Sequence, residues 1–159
     1  MSSDIAAEVG PAVQAYQASV AGFDREVARI LGVGATDLAC VELVLGADGI
    51  SPREVATALG FTTGSVTTMV DRLEKRGYVA RHPHPEDGRK VLVRATPLLT
   101  ARVEAAMGPM LASAGPDVLD RFTEDELATV VRFMRVAAAH QAAHTALLRA
   151  EPSSGAGVS

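Results

Sequence analysis

The chain has 159 residues, 48% of them hydrophobic, enough to bury a core in one domain or two small lobes. Aromatics make up 4%, tryptophan is absent, and alanine and leucine abound, a mix that favours helices over a sandwich or barrel. The net charge is −4, a single cysteine excludes an intrachain disulfide, and neither a signal peptide nor a membrane-length apolar run is present, so a cytoplasmic protein is expected.

Residues 1–10 read as a loose leader. From Pro11 to Leu31, Val13, Tyr16, Val20, Phe23, Val27, Ile30 and Leu31 recur at three- and four-residue spacing, the stripe of a long amphipathic helix. Thr36 is a candidate N-cap for a second helix, Asp37 to about Gly46, with Leu38, Val41, Val44 and Leu45 inward. Ser51-Pro52-Arg53-Glu54 predicts a capping box with proline in the first turn, on a short helix that stops at Gly60. Thr62 or Thr63 opens the next helix, which runs to Arg76 and ends at Gly77.

Two β-like runs follow, Tyr78–His82 and Lys90–Ala95, and the turn-forming residues between them predict a hairpin. Thr96-Pro97 starts a long helix in which Gly108-Pro109 is expected to kink the chain and Gly115-Pro116 to break it. Thr123-Glu124-Asp125-Glu126 predicts a second capping box, opening a final helix with Leu127, Val130, Val131, Met134, Ala138 and Gln141 on one stripe. The tail after Glu151 is expected to be disordered.

Charge is distributed unevenly along this order. Residues 51–95 carry eight Lys/Arg against five Asp/Glu, while the rest of the chain carries seven against fourteen. A basic island in an acidic chain points to a localised polyanion site. Within it, Ala56, Gly60 and Val66 have helix-turn-helix spacing: a small residue at the helix crossing, a tight turn, and a plug between the helices. A helical wheel then turns Val66, Met69, Val70 and Leu73 inward, leaving Gly64, Ser65, Thr67, Thr68, Asp71, Arg72 and Lys75 outward. Short hydroxyls and an arginine suit a face that reads base edges or phosphates. Arg81, His82, His84, Arg89, Lys90 and Arg94 decorate the hairpin that follows, with Arg89 at its tip and Asp87 two residues away to hold it.

The run Ile50–Arg81 resembles the MarR family of bacterial regulators, and His82–Thr96 carries that family's Asp-x-Arg wing signature at Asp87 and Arg89. The resemblance is dense over residues 36–97. It implies a mainly α fold with a small β-wing: a winged helix-turn-helix flanked by N- and C-terminal dimerisation helices. The expected division is 1–35 for the N-terminal dimerisation helix, 36–96 for the DNA-binding domain, 97–150 for the C-terminal dimerisation helices and 151–159 for the tail. Thr62, Thr63, Ser65, Thr67, Thr68 and Arg72 are the expected major-groove readers. Arg89, held by Asp87, would enter the minor groove, and Arg81 and Lys90 would hold phosphates. The expected partners are double-stranded DNA, a second copy of the chain and a small-molecule effector, in a repressor of a pseudo-palindromic operator. One departure stands out: the family's glycine shortly after the wing threonine is missing, since Thr96 is followed by Pro97-Leu98-Leu99-Thr100.

Cys40 has no basic neighbour in sequence, so it reads as a small buried hydrophobe rather than a peroxide sensor. His140 and His144 have a chelating spacing, but no further ligand lies within that turn, and they read as surface or interface residues. No catalytic motif, cofactor site or metal set is evident, so an enzyme is not expected. Two rival readings remain, a metal- or redox-responsive sensor on the same scaffold and a winged-helix protein-interaction module.

Overall fold

The computed structural model describes residues 3–88 and 90–150. The order is α1 (Ser3–Leu31), α2 (Ala35–Leu45), α3 (Pro52–Leu59), α4 (Thr63–Lys75), β1 (Val79–Pro83), β2 (Val91–Ala95), α5 (Pro97–Asp117), a 3-10 turn (Leu119–Arg121) and α6 (Glu124–Ala150). The architecture is mainly α with one two-stranded antiparallel sheet, as the sequence led us to expect. The chain divides into two compact units, residues 1–109 and 110–159.

Several starts follow from local chemistry. Ser51 and Glu54 form the predicted capping box on α3, with Glu54 N–H donating to Ser51 Oγ at 3.2 Å and Ser51 N–H donating to the Glu54 carboxylate at 2.9 Å. The Ser51 hydroxyl, which donates to the Glu54 carboxylate at 2.6 Å, and then the Ser51 N–H hold that carboxyl below its usual range. Thr123 and Glu126 repeat the arrangement on α6. Thr96 Oγ1 accepts from Leu99 N–H at 3.3 Å, so α5 starts directly at Pro97 without the glycine that the family pattern supplies.

Three expectations are corrected. The leader is helical from residue 3, and Pro11 lies inside α1. Proline deletes one backbone bond, and the good helix formers Ala6, Ala7 and Glu8 carry the helix through it. Gly34, not Thr36, is the N-cap of α2, because the chain leaves extended backbone at Gly34, whose carbonyl accepts the first helical bond from Leu38 N–H at 2.9 Å. The Gly115-Pro116 pair does end the long helix as expected, since α5 stops at Asp117. The first strand begins at Val79 rather than Tyr78. Tyr78 belongs instead to the stop of α4: Gly77 sits at φ 74°, and Tyr78 N–H reaches back to Leu73 O at 3.0 Å. The predicted disordered tail lies outside the described residues.

The buried core runs from Val27 to Leu99, within the first unit. It joins α1, α2, α3, α4, the hairpin and the start of α5, with Leu31, Val44, Val55, Val66, Leu73 and Val93 fully enclosed. The hairpin pairs Val79 with Ala95 through Pro83 with Val91. Ile50, just before α3, adds an isolated antiparallel bridge by exchanging two backbone bonds with Val93. That bridge ties the hairpin to the start of the α3–α4 pair. In the second unit α6 buries none of its residues.

Candidate nucleic-acid interface

The helix-turn-helix is built as its spacing requires. Ala56 is buried where α3 crosses α4, and Gly60 holds φ 71°, a left-handed conformation that costs an L side chain and glycine nothing. Val66, Met69, Val70 and Leu73 are all buried on the inner face of α4. Burying that stripe leaves the opposite face in solvent, so the exposure of Thr62, Thr63, Ser65, Thr67 and Thr68 follows from the packing.

The hydroxyls on this face are already oriented. Thr62 Oγ1 caps α4 by accepting from Ser65 N–H at 3.2 Å, and lies 2.9 Å from Ser65 Oγ. Thr67 and Thr68 donate to the carbonyls of Thr63 and Gly64, at 2.9 and 3.2 Å. With their protons committed to the helix, both threonines present lone pairs and methyl groups, which match amino-group donors and thymine methyls on a duplex. At Gly64 a Cβ would meet only Thr62 Oγ1, at 4.0 Å, so the fold does not demand glycine there.

Two arginines are placed differently from the sequence reading. Arg72 donates to both carboxylate oxygens of Asp37, from Nε at 3.2 Å and Nη2 at 2.5 Å. Arg81, on β1, donates to Asp71 at 2.5 Å and to Glu74, and its side chain is 29% exposed. Arg81 therefore ties the hairpin to the reading helix. Asp37 escaped the sequence analysis because nothing local pairs it with a residue 35 positions away. Asp71 and Glu74 carried a usable signal, since both lie one side of the Gly77 turn that brings β1 back along α4.

On the hairpin, Lys90 Nζ stands 3.5 Å from an Asp87 oxygen, and Lys90 N–H closes the turn on Asp87 O at 2.8 Å. His84 Nδ1 accepts from Glu86 N–H at 3.2 Å. Arg89, and with it the expected bond to Asp87, lies outside the described residues.

Cys40 is fully enclosed, and burial, with a smaller contribution from Asp37, pushes its thiol up to about 11. The thiol is therefore expected to resist thiol reagents in the native protein at neutral pH and to react at once in denaturant. Native reactivity equal to that of free cysteine would contradict this placement. The pH consequence has a definite sign. Between the ordinary thiol pKa and about 11 the folded state holds a proton that the unfolded state has lost, so stability should fall as pH rises through that window. The fall should be absent in Cys40→Ala. His140 and His144 place their ring centroids 4.2 Å apart on the exposed face of α6. Among the described residues, no group of three or more His, Cys, Asp or Glu is placed to hold a metal ion, and no helix is long and apolar enough to cross a membrane.

A helical core with a close-packed α3–α4 pair, a hydroxyl-lined outer helix face and a basic hairpin bonded to it defines a winged helix-turn-helix protein. Residues 25–90 match the model of the MarR family. The chain is 34% identical over 116 residues to the HTH-type transcriptional regulator YcgE of Bacillus subtilis, spanning 73% of this chain and 75% of that protein. It is 32% identical over 100 residues to the multiple antibiotic resistance protein MarR of Salmonella typhimurium, spanning 63% and 69%. A MarR family protein from Bacillus stearothermophilus superposes with a TM-score of 0.66 at 18% identity, over 89% of this chain and 99% of that one. A mutant of Escherichia coli MarR in complex with operator DNA superposes with a TM-score of 0.52 at 26% identity, over 82% and 95%. The chain belongs to the MarR family of transcriptional regulators.

Proposed function

We propose that this protein is a repressor that binds a pseudo-palindromic operator as a homodimer and releases it on binding a small molecule. The observation that carries the reading is the outer face of α4, where exposed hydroxyls are oriented by their own helix while the inner face is locked in the core. Thr62, Thr63, Ser65, Thr67, Thr68 and Arg72 read the major groove. Lys90 contacts phosphate and Arg89 enters the minor groove, with Asp87 ordering the turn. The likeness to a MarR protein bound to operator DNA supports this arrangement.

Homodimerisation is supported by α6. Val130, Val131, Phe133, Met134, Leu147 and Leu148 are all exposed on a helix that buries nothing in the single chain. Apolar surface of that extent calls for a partner, and a second copy gives the two-fold symmetry of a palindrome. Residues 36–96 then form the reading domain, and residues 1–35 and 97–150 pair the subunits in the cytoplasm.

An open groove of about 730 Å³ between α1 and α2 offers a place for the effector. Asp24, Arg25, Arg29 and Glu42 line it beside the apolar Leu38 and Val33. Burial, with help from Asp24, raises the Glu42 carboxyl above its usual range. Arg29 is bonded to Glu26 at 2.7 Å, so Arg25 is the cation that would meet a small anionic molecule, whose binding would shift α2 against α1.

The test is selection of duplexes from a random pool by the purified protein, followed by affinity measurements over a range of salt. A two-fold symmetric site, occupied by two subunits with affinity falling steeply in log salt, is the expected result. Failure to enrich any sequence would overturn DNA reading and favour a protein-docking role, and a monomer at the site would overturn the dimer.

A further inference from the structure

Asp37 is the buried charged residue among the described ones, 7% exposed at the first turn of α2. A buried carboxylate is costly unless it is paired and bonded. Its partner is the guanidinium of Arg72, which offers its Nε and Nη2 edge and leaves that side chain 51% exposed. A guanidinium carries five N–H groups in a rigid plane, and this side-on pairing uses two of them. The Nη1 group and the second Nη2 hydrogen remain for another acceptor, in a plane that Asp37 sets. Arg72 also shares a shallow depression of about 360 Å³ with Ser65 and Thr68, which stand on the proposed reading face, and with Thr36 and Phe61.

Resting on the DNA-reading role proposed above, we infer that Asp37 is a positioning residue for sequence recognition. It holds the Arg72 fork in one orientation, so that the free edge meets an acceptor pair on the duplex, guanine or phosphate, only in the correct register. Arg72 is thereby a contact of defined geometry instead of a swinging charge. Asp37 touches no base and acts through Arg72 alone.

The experiment compares affinity for the selected operator with affinity for an unrelated duplex. Wild type, Asp37→Asn, Arg72→Ala and the double variant are measured, with thermal melting alongside. Removing the Asp37 charge strengthens attraction to either duplex alike, so that effect cancels in the ratio. Lost positioning does not cancel. Asp37→Asn should lower the operator-to-unrelated ratio by roughly tenfold, within the range of couplings between bonded side chains, and have no further effect once Arg72 is alanine. Should Asp37→Asn fail to fold, Asp37→Glu serves instead: it keeps the charge but moves the carboxylate by one methylene, so the ratio should fall when Arg72 is present and stay unchanged once Arg72 is alanine. Selection repeated with Arg72→Ala separates the two acceptors. Loss of preference for guanine at one position identifies a base, and a salt slope smaller by about 0.9 with the preferences intact identifies a phosphate. An unchanged ratio in Asp37→Asn, or an equal drop with Arg72 absent, overturns the inference while leaving DNA reading in place. If selection with wild type yields no operator, both fall together.

Discussion

Replacing Leu73 with alanine is expected to destabilise the protein by about 3 kcal/mol, the middle of the range for a fully enclosed leucine. Leu73 is 0% exposed on the inner face of α4, in the core that joins α4 to α2, α3 and β1. Truncation removes the transfer free energy of its buried carbons and leaves a cavity that the surrounding elements cannot all collapse to fill. The same residue's carbonyl receives Tyr78 N–H, so the stop of α4 and the entry to the hairpin rest on the backbone it positions. Against a typical domain stability of about 5–15 kcal/mol, a loss of this size is a large fraction. At fixed protein concentration the melting temperature should drop by about 10 °C. Chemical denaturation should show a lower midpoint with an unchanged slope. A loss below about 1 kcal/mol would mean that the site repacks or is not enclosed.

The second large effect concerns recognition. Arg81→Met should weaken operator binding by roughly tenfold or more, even though Arg81 is not placed as a phosphate ligand. Arg81 bridges β1 to Asp71 and Glu74 on α4. Removing it unfastens the hairpin from α4 and leaves two carboxylates, 49% and 40% exposed, without their cation on the side of the molecule proposed to approach DNA. Both consequences act against a polyanion. The triple variant Arg81→Met, Asp71→Asn, Glu74→Gln separates them, because it removes the repulsion while leaving the hairpin unfastened. Recovery of most of the affinity in the triple variant assigns the loss to exposed carboxylates, and no recovery assigns it to the hairpin. In either case Arg81→Met should keep the wild-type salt slope, in contrast to Lys90→Ala, where the slope should shrink by about 0.9. Undiminished operator affinity in Arg81→Met would remove Arg81 from the recognition machinery.

Much of the reading head was legible in the sequence because its signals are local. The capping box at Ser51 and Glu54, the left-handed glycines at 60 and 77, and the 3.6-residue stripe of Val66, Met69, Val70 and Leu73 each depend on neighbours within a few positions. Such features form wherever that order of residues occurs, and Cys40, read as a small buried hydrophobe, is buried. Misreadings arose where a local rule met a larger balance. Pro11 carries a real penalty, yet a long stretch of good helix formers absorbs it.

The hydroxyl-lined outer face of α4 and the basic hairpin behind it follow from the sequence alone, since periodicity and turn chemistry leave no other side of that helix to bury. What only the tertiary structure decided is how the charges on that surface are used. Arg72 and Arg81 read alike as basic residues of the island, yet both are held by carboxylates, one of them buried on α2 and two on the reading helix. Ile50 joined the hairpin, and Tyr78 donated its hydroxyl to Leu31 O across 47 positions, for the same reason. Coulomb attraction and hydrogen bonding depend on distance in space, which a chain order does not contain until the core has closed.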